Sequence, residues 1–225
     1  IPYRALLPKN VDNFLVACDD GLTVWDLDPA RSGSVTSPIL VHHTDLLGAS
    51  PVEQCRHMEW GPLVLATNSP GRFAMLDPQP WYSGSSVPTV VVDDVVIPDL
   101  EGLILDVQQV QGRLFLLTDA SAAGRLYAYS LDVPSAPVLL AQTDLAPGAP
   151  AVAMIYRHGE DWAVGSEALL VVRRGWGIEL FTLDLALLST LALPGDPRDA
   201  FWAWGTFVTL GYFGIAQIRG PPGQT

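Results

Sequence analysis

The chain has 225 residues, of which 49% are apolar and 16% charged, with a mean hydropathy of +0.27. A chain of that length can bury a sizeable core, and that composition excludes an intrinsically disordered protein, which would be poor in aliphatics and rich in charge. The balance of 12 basic to 24 acidic residues, a net charge of −12, counts against nucleic acid and anionic membranes as partners, because both require clustered Lys and Arg.

A short apolar run, a Gly-containing turn and a second apolar run recur five times along the chain. The pairs are Phe14–Cys18 with Leu22–Leu27, Leu63–Thr67 with Arg72–Leu76, and Leu114–Thr118 with Arg125–Leu131. Ala168–Val172 with Ile178–Leu183 and Phe207–Leu210 with Ile215–Ile218 complete the set. Each run is short, rich in Val, Leu, Phe and Tyr, and bounded by Gly, Asp, Asn or Pro, which is the signature of a β-hairpin. Four units close on Leu-Asp, at Asp28, Asp77, Asp132 and Asp184, spaced 49, 55 and 52 residues apart.

A strand candidate precedes each hairpin: Tyr3–Leu7, Gln54–Trp60, Leu103–Gln111, Val152–Trp162 and Ala200–Trp204. Another follows the first four, at Ile39–His42, Thr89–Val92, Val138–Ala141 and Leu187–Leu193. Helices do not fit, because 19 Pro and 20 Gly interrupt the chain too often. Four strands per unit, repeated about every 50 residues, is the pattern of a β-propeller. The expectation is an all-β propeller of about five four-stranded blades over residues 1–219, with a Pro/Gly tail at 220–225. The last unit stops before its fourth strand, so the final blade is expected to be incomplete and the chain to be a fragment of a larger propeller or a ring closed on three strands. Ile1 stands where an initiator Met would, as expected of a processed product or a piece of something longer.

The stretch Asp20-Gly21-Leu22-Thr23-Val24-Trp25-Asp26 resembles the closing strand of a WD-repeat blade, in which an Asp-x-Thr turn leads into a strand ending in Trp-Asp. The other units end in Ala-Met-Leu-Asp, Tyr-Ser-Leu-Asp and Phe-Thr-Leu-Asp and contain no Gly-His dipeptide. The resemblance is therefore to WD-like propellers broadly, and it implies a binding or scaffold role.

The inter-blade loops repeat too. Thr44–Val52 matches Thr143–Val152 with one insertion, and Asp45, Asp94, Asp144 and Asp196 follow one another at intervals of 49, 50 and 52. Such a series forms an acidic collar at the channel mouth, suited to a basic peptide, a sugar or calcium; alternatively each Asp caps its own turn by accepting local N–H groups. No cofactor is expected otherwise, and no metal-ligand spacing occurs. Arg56-His57-Met58-Glu59-Trp60 is echoed by Arg157-His158-Gly159-Glu160-Asp161-Trp162 on predicted inner strands. His beside Glu suits acid–base chemistry, so a carbohydrate-acting hydrolase or lectin would use Glu59, Asp106 and Glu160, with His57 and His158. Trp60, Trp162 and Trp204 recur at one turn and read as packing. Trp81 and Tyr82, in an outer loop, are the foremost aromatic candidates for binding, and the less regular Trp176, Trp202, Tyr212 and Phe213 could stack on a sugar or anchor a partner.

The expected function is a propeller that presents its acidic mouth and inter-blade loops to a protein or basic peptide, with docking to another chain through the incomplete blade. No membrane span is expected, since Asp93 and Asp184 break the longest apolar runs. Cys18 and Cys55 are too few for a disulfide framework.

Overall fold

The computed structural model describes residues 5–8, 13–18, 21–26, 33, 39–50, 52–57, 62–68, 71–82, 88–157, 167–193, 196–203, 206–211 and 214–218. Nineteen strands account for most of them. They form five antiparallel sheets, each built from strands consecutive in sequence. This is the meander that short Gly-bearing turns between apolar runs dictate.

The chain divides into two compact units. The first, 1–100 with 130–138, holds two sheets. One runs β1 (Ala5–Pro8), β2 (Asn13–Cys18), β3 (Gly21–Asp26) and β4 (Ile39–Asp45); the other runs β5 (Gln54–His57), β6 (Leu63–Asn68), β7 (Gly71–Asp77) and β8 (Thr89–Val96). The first strands β1 and β5 touch, so the two sheets neighbour each other along them.

The second unit, 101–129 with 139–225, holds three sheets. They are β9 (Ile104–Val110) to β12 (Val138–Asp144) by way of β10 (Arg113–Thr118) and β11 (Arg125–Ser130); β13 (Ala151–Arg157) to β16 (Leu187–Ala192) by way of β14 (Ala168–Arg173) and β15 (Gly177–Phe181); and β17 (Pro197–Ala203), β18 (Thr206–Gly211) and β19 (Gly214–Ile218). Strand β13 touches both β9 and β17. The expected incomplete last unit is thus a sheet of three strands among the described residues.

Burial explains why the middle runs are so uniformly apolar. All six residues of β14 and all five of β15 are buried, so these strands are covered on both faces. The fourth strands face water instead: every residue of β16 is exposed, and β12 alternates between exposed and half-buried. Leu114, Phe115, Leu116 and Leu117 lie fully inside the second unit, each contributing about 1.5–3 kcal/mol of transfer free energy.

Gly21 and Gly177 open the third strands of the first and fourth sheets with positive φ, 140° and 156°. A Cβ at either would run into the fourth strand's carbonyl oxygen, that of Thr44 or Leu191. Only glycine lets the two strands approach this closely.

One expectation is corrected. Residues Gln79–Tyr82, read as loop from their Pro and Ser neighbours, form a single helical turn, α1, begun by the Asp77 carboxylate accepting the Gln79 N–H at 2.9 Å. In the loop after β4, read as an inter-blade loop, Leu47, Gly48 and Ala49 coil left-handed with φ near 60°. The Leu47 N–H is pinned at 2.8 Å by Asp93 of β8. The side chains of Cys18 and Cys55 are outside the described ones.

Candidate functional site

In a meander, the turn between second and third strands and the loop leading to the next sheet lie at one end of each sheet. This is the loop end of each sheet, and the ion pairs of Arg72, Arg125 and Arg173 lie there. In two sheets the glycine at the start of the third strand is followed by arginine, Arg72 and Arg125. Both clasp an aspartate of the collar series. Arg72 Nη1 donates to Asp94 Oδ1 at 2.5 Å. Arg125 Nε donates to Asp144 Oδ1 at 2.6 Å, and its Nη1 donates to Glu101 Oε2 at 2.5 Å. The Tyr127 hydroxyl, itself stacked on Tyr129 with centroids 6.1 Å apart, accepts the Glu101 N–H and completes the cluster.

The Arg125 cluster is net acidic and recessed in a telling order. The guanidinium is 18% exposed, whereas Glu101 is 69% and Asp144 55% exposed. Hydrogen bonding to Arg125 lowers the Asp144 pKa below its ordinary 3.8, and the Asp144 carboxylate with the Tyr127 hydroxyl holds Arg125 protonated. One cation therefore orders two carboxylates while leaving both facing water.

The four collar aspartates do not occupy four matching positions. Asp45 and Asp144 are the last residues of β4 and β12. Asp94 sits inside β8, in a one-residue bulge opposite Phe73–Met75, with φ of 55°. Asp196 lies just ahead of β17, with its Oδ1 3.7 Å from Arg174 Nε. Equal spacing in sequence is not equal register, because a bulge adds a residue without advancing the ladder. For Asp94 and Asp144 the observed partner is an arginine of the adjacent strand rather than the N–H groups of a local turn.

The other predicted residues disperse. Asp106 is buried in β9, its Oδ1 accepting the Val107 N–H and its Oδ2 the Met154 N–H of β13, both at 2.8 Å. It fastens two sheets together, helped by Gln108 donating to the Met154 carbonyl at 3.1 Å. His57 closes β5, and Trp81 and Tyr82 lie in α1, but their side chains are outside the described ones. Glu59, His158 and Glu160 fall outside the described residues. Among the described residues no three His, Cys, Asp or Glu side chains converge as a metal site would require, and no helix is long and apolar enough to cross a membrane.

The arginines were missed in the sequence, although Gly-Arg recurs 53 residues apart, in step with the repeat. A third one matters as much. Arg173 ends β14 almost fully buried, its Nη1 donating to Glu179 of β15 at 2.8 Å. Its Nε and Nη2 donate to the carbonyls of Ala149 and Ala146, fixing the loop before β13. The guanidinium also stands 5.7 Å from the ring centroid of Trp176, which is 39% exposed on the adjoining turn. Trp176 is thus a half-exposed aromatic held beside an immobilised guanidinium.

Solved structures match this architecture across nearly the whole chain. BBS1N, crystallised in complex with ARL6DN, superposes with a TM-score of 0.59 at 13% identity, over 98% of this chain and 62% of its own. BamB from Moraxella catarrhalis gives 0.58 at 10% identity, over 98% and 58%. Sqt1 from Saccharomyces cerevisiae gives 0.54 at 12% identity, over 95% and 58%. All three are propellers built of four-stranded antiparallel sheets. The fold is a β-propeller. The chain spans about 60% of the length of each of these structures, and its sheets are propeller blades. No family model matches the sequence, and no curated protein sequence matches it. Within the WD-like strand itself, Trp25 Nε1 donates to Thr23 Oγ1 at 2.9 Å, so the two residues that carry the resemblance bond each other along one face of β3.

Proposed function

We propose that this propeller is a protein-interaction scaffold whose loop end receives a basic protein or peptide segment. The observation that carries the reading is the Arg125 cluster, in which a recessed cation organises Glu101 and Asp144 and leaves both carboxylates exposed. Ordered, exposed carboxylates on a molecule of net charge −12 steer cationic partners and set the register of docking. Within the same unit, the half-exposed Trp176 offers an aromatic contact for such a segment. The complex of BBS1N with ARL6DN shows a propeller of this architecture engaged with a protein. A strand from another chain adding to the sheet β17-β18-β19 belongs to the same scaffold reading.

Asp45→Asn combined with Asp144→Asn is expected to weaken binding of a labelled Arg-rich peptide roughly fivefold in fluorescence anisotropy, with little change in the melting temperature. The acid dependence follows from the lowered Asp144 value. Its carboxylate is charged above pH 3.8, so its contribution is complete there and is lost only as the pH falls through the lowered folded value. An unchanged affinity in the double variant would remove the acidic loop end from the reading.

A further inference from the structure

We infer that β16 is a docking edge for an extended, apolar segment of a partner protein, added to the fourth blade as a fifth strand. The surface is distinct from the loop end and does not depend on it. Strand β16 is last in the order β13-β14-β15-β16, and all six of its residues are exposed. Its sequence, Leu-Leu-Ser-Thr-Leu-Ala, carries no charge and no proline.

The other fourth strands are blunted. Strand β8 contains Asp93 and Asp94 and two register shifts, β12 ends in Asp144, and β4 carries His42, His43 and Asp45. Charges and bulges of this kind are how edge strands avoid pairing with other chains. In β16 the single register shift falls at its start, opposite Leu180 and Phe181, and the rest of the strand is regular.

The ladder identifies the occupant as a strand. The Leu193 N–H donates to the Trp176 carbonyl at 3.0 Å, and Thr190 pairs with Glu179 three rungs away. In an antiparallel ladder the two residues exchange hydrogen bonds at every second rung, so the N–H and C=O of Thr190 and Ala192 turn away from β15. They point to where a further strand would lie, and β-strand addition uses those groups. The side chains select the chemistry, since Leu187, Leu188 and Leu191 are all exposed and uncharged and match an apolar sequence. Net charge selects against a second copy, because each brings −12, and the same charge favours a partner with basic residues flanking its apolar core.

The test uses the full chain and a labelled nonapeptide, Lys-Lys-Leu-Thr-Val-Thr-Leu-Lys-Lys, beside the same peptide N-methylated at alternate residues. Equal charge in the two peptides separates this edge from the acidic loop end, which both would reach alike. The unmodified peptide is expected to bind about tenfold more tightly than the N-methylated one. Thr190→Pro removes an outward N–H without touching the β15 ladder, a change that edge strands accept, and should abolish that difference. Leu188→Lys, which preserves the backbone, should weaken the unmodified peptide by a similar factor, while Asp45→Asn with Asp144→Asn leaves the difference in place. Equal binding of the two peptides overturns the inference. So does a dimer of the wild-type chain in sedimentation velocity that Thr190→Pro dissociates, since the occupant would then be a second copy.

Discussion

Replacing Asp106 by alanine is expected to cost about 3 kcal/mol and to lower the melting temperature by roughly 10 °C. The residue is 1% exposed, and each carboxylate oxygen accepts a backbone N–H at 2.8 Å, one within β9 and one from β13 of the next blade. Alanine leaves both donors in a dry interface with no acceptor, and the full desolvation cost of an unmet N–H is paid twice. Asp106→Asn should cost less, about 2 kcal/mol, because one oxygen still accepts while the new amide faces a donor. Thermal unfolding followed by circular dichroism reads both. A loss below about 1 kcal/mol for alanine would mean that the carboxylate does not join the blades. Asp106 was the one member of the predicted carboxylate trio that the structure describes, and its lone pairs are engaged by backbone.

Arg173→Met is expected to be at least as damaging, about 3–5 kcal/mol, since it leaves Glu179 as an unpaired buried carboxylate. The double variant Arg173→Met with Glu179→Leu should recover most of that loss, because apolar groups of similar volume replace a buried pair at little net cost. The Ala146 and Ala149 carbonyls lose their donor in both variants. Loop 145–150 should therefore stay loosened and the Trp176 fluorescence shifted even where stability returns. A cycle of the single and double variants in denaturant unfolding isolates the coupling. Additive losses would show that the pair does not act as a unit. The pair is best understood as positioning, because it joins β14 to β15 and holds both the loop and the tryptophan beside it.

Fold was legible in the sequence because it is a matter of period. The recurrence of apolar run, glycine and apolar run gives the hairpins, and the exposed LLSTLA of β16 and buried ALLVVR of β14 keep their strand identity whatever their burial. The last sheet, three strands among the described residues, was expected as well. Site residues were harder because they depend on register and on partners from other strands. Asp94 falls in step with Asp45 and Asp144 by number, yet the bulge in β8 moves it off the end of its strand. Asp106 reads as a channel carboxylate in a strand of alternating residues, and nothing local reveals the Met154 N–H 48 positions away. Arg72 and Arg125 could have been found, since they recur at one position of the repeat, but a cation in an acidic chain draws less notice than the acids it orders. The one-turn helix at Gln79–Tyr82 was masked by its Pro and Ser setting, although Asp77 two residues before Gln79 is a capping residue.

The central claim is that the loop end of the blades receives a basic segment, and amide hydrogen exchange with and without a saturating Arg-rich peptide tests it most directly. Slowed exchange is predicted in residues 101–103, 145–150 and 174–176 of the second unit, with the interior strands β10 and β14 unchanged. Protection confined to the opposite end, in residues 111–113, 131–137 and 182–186, or no protection anywhere at saturation, would contradict it.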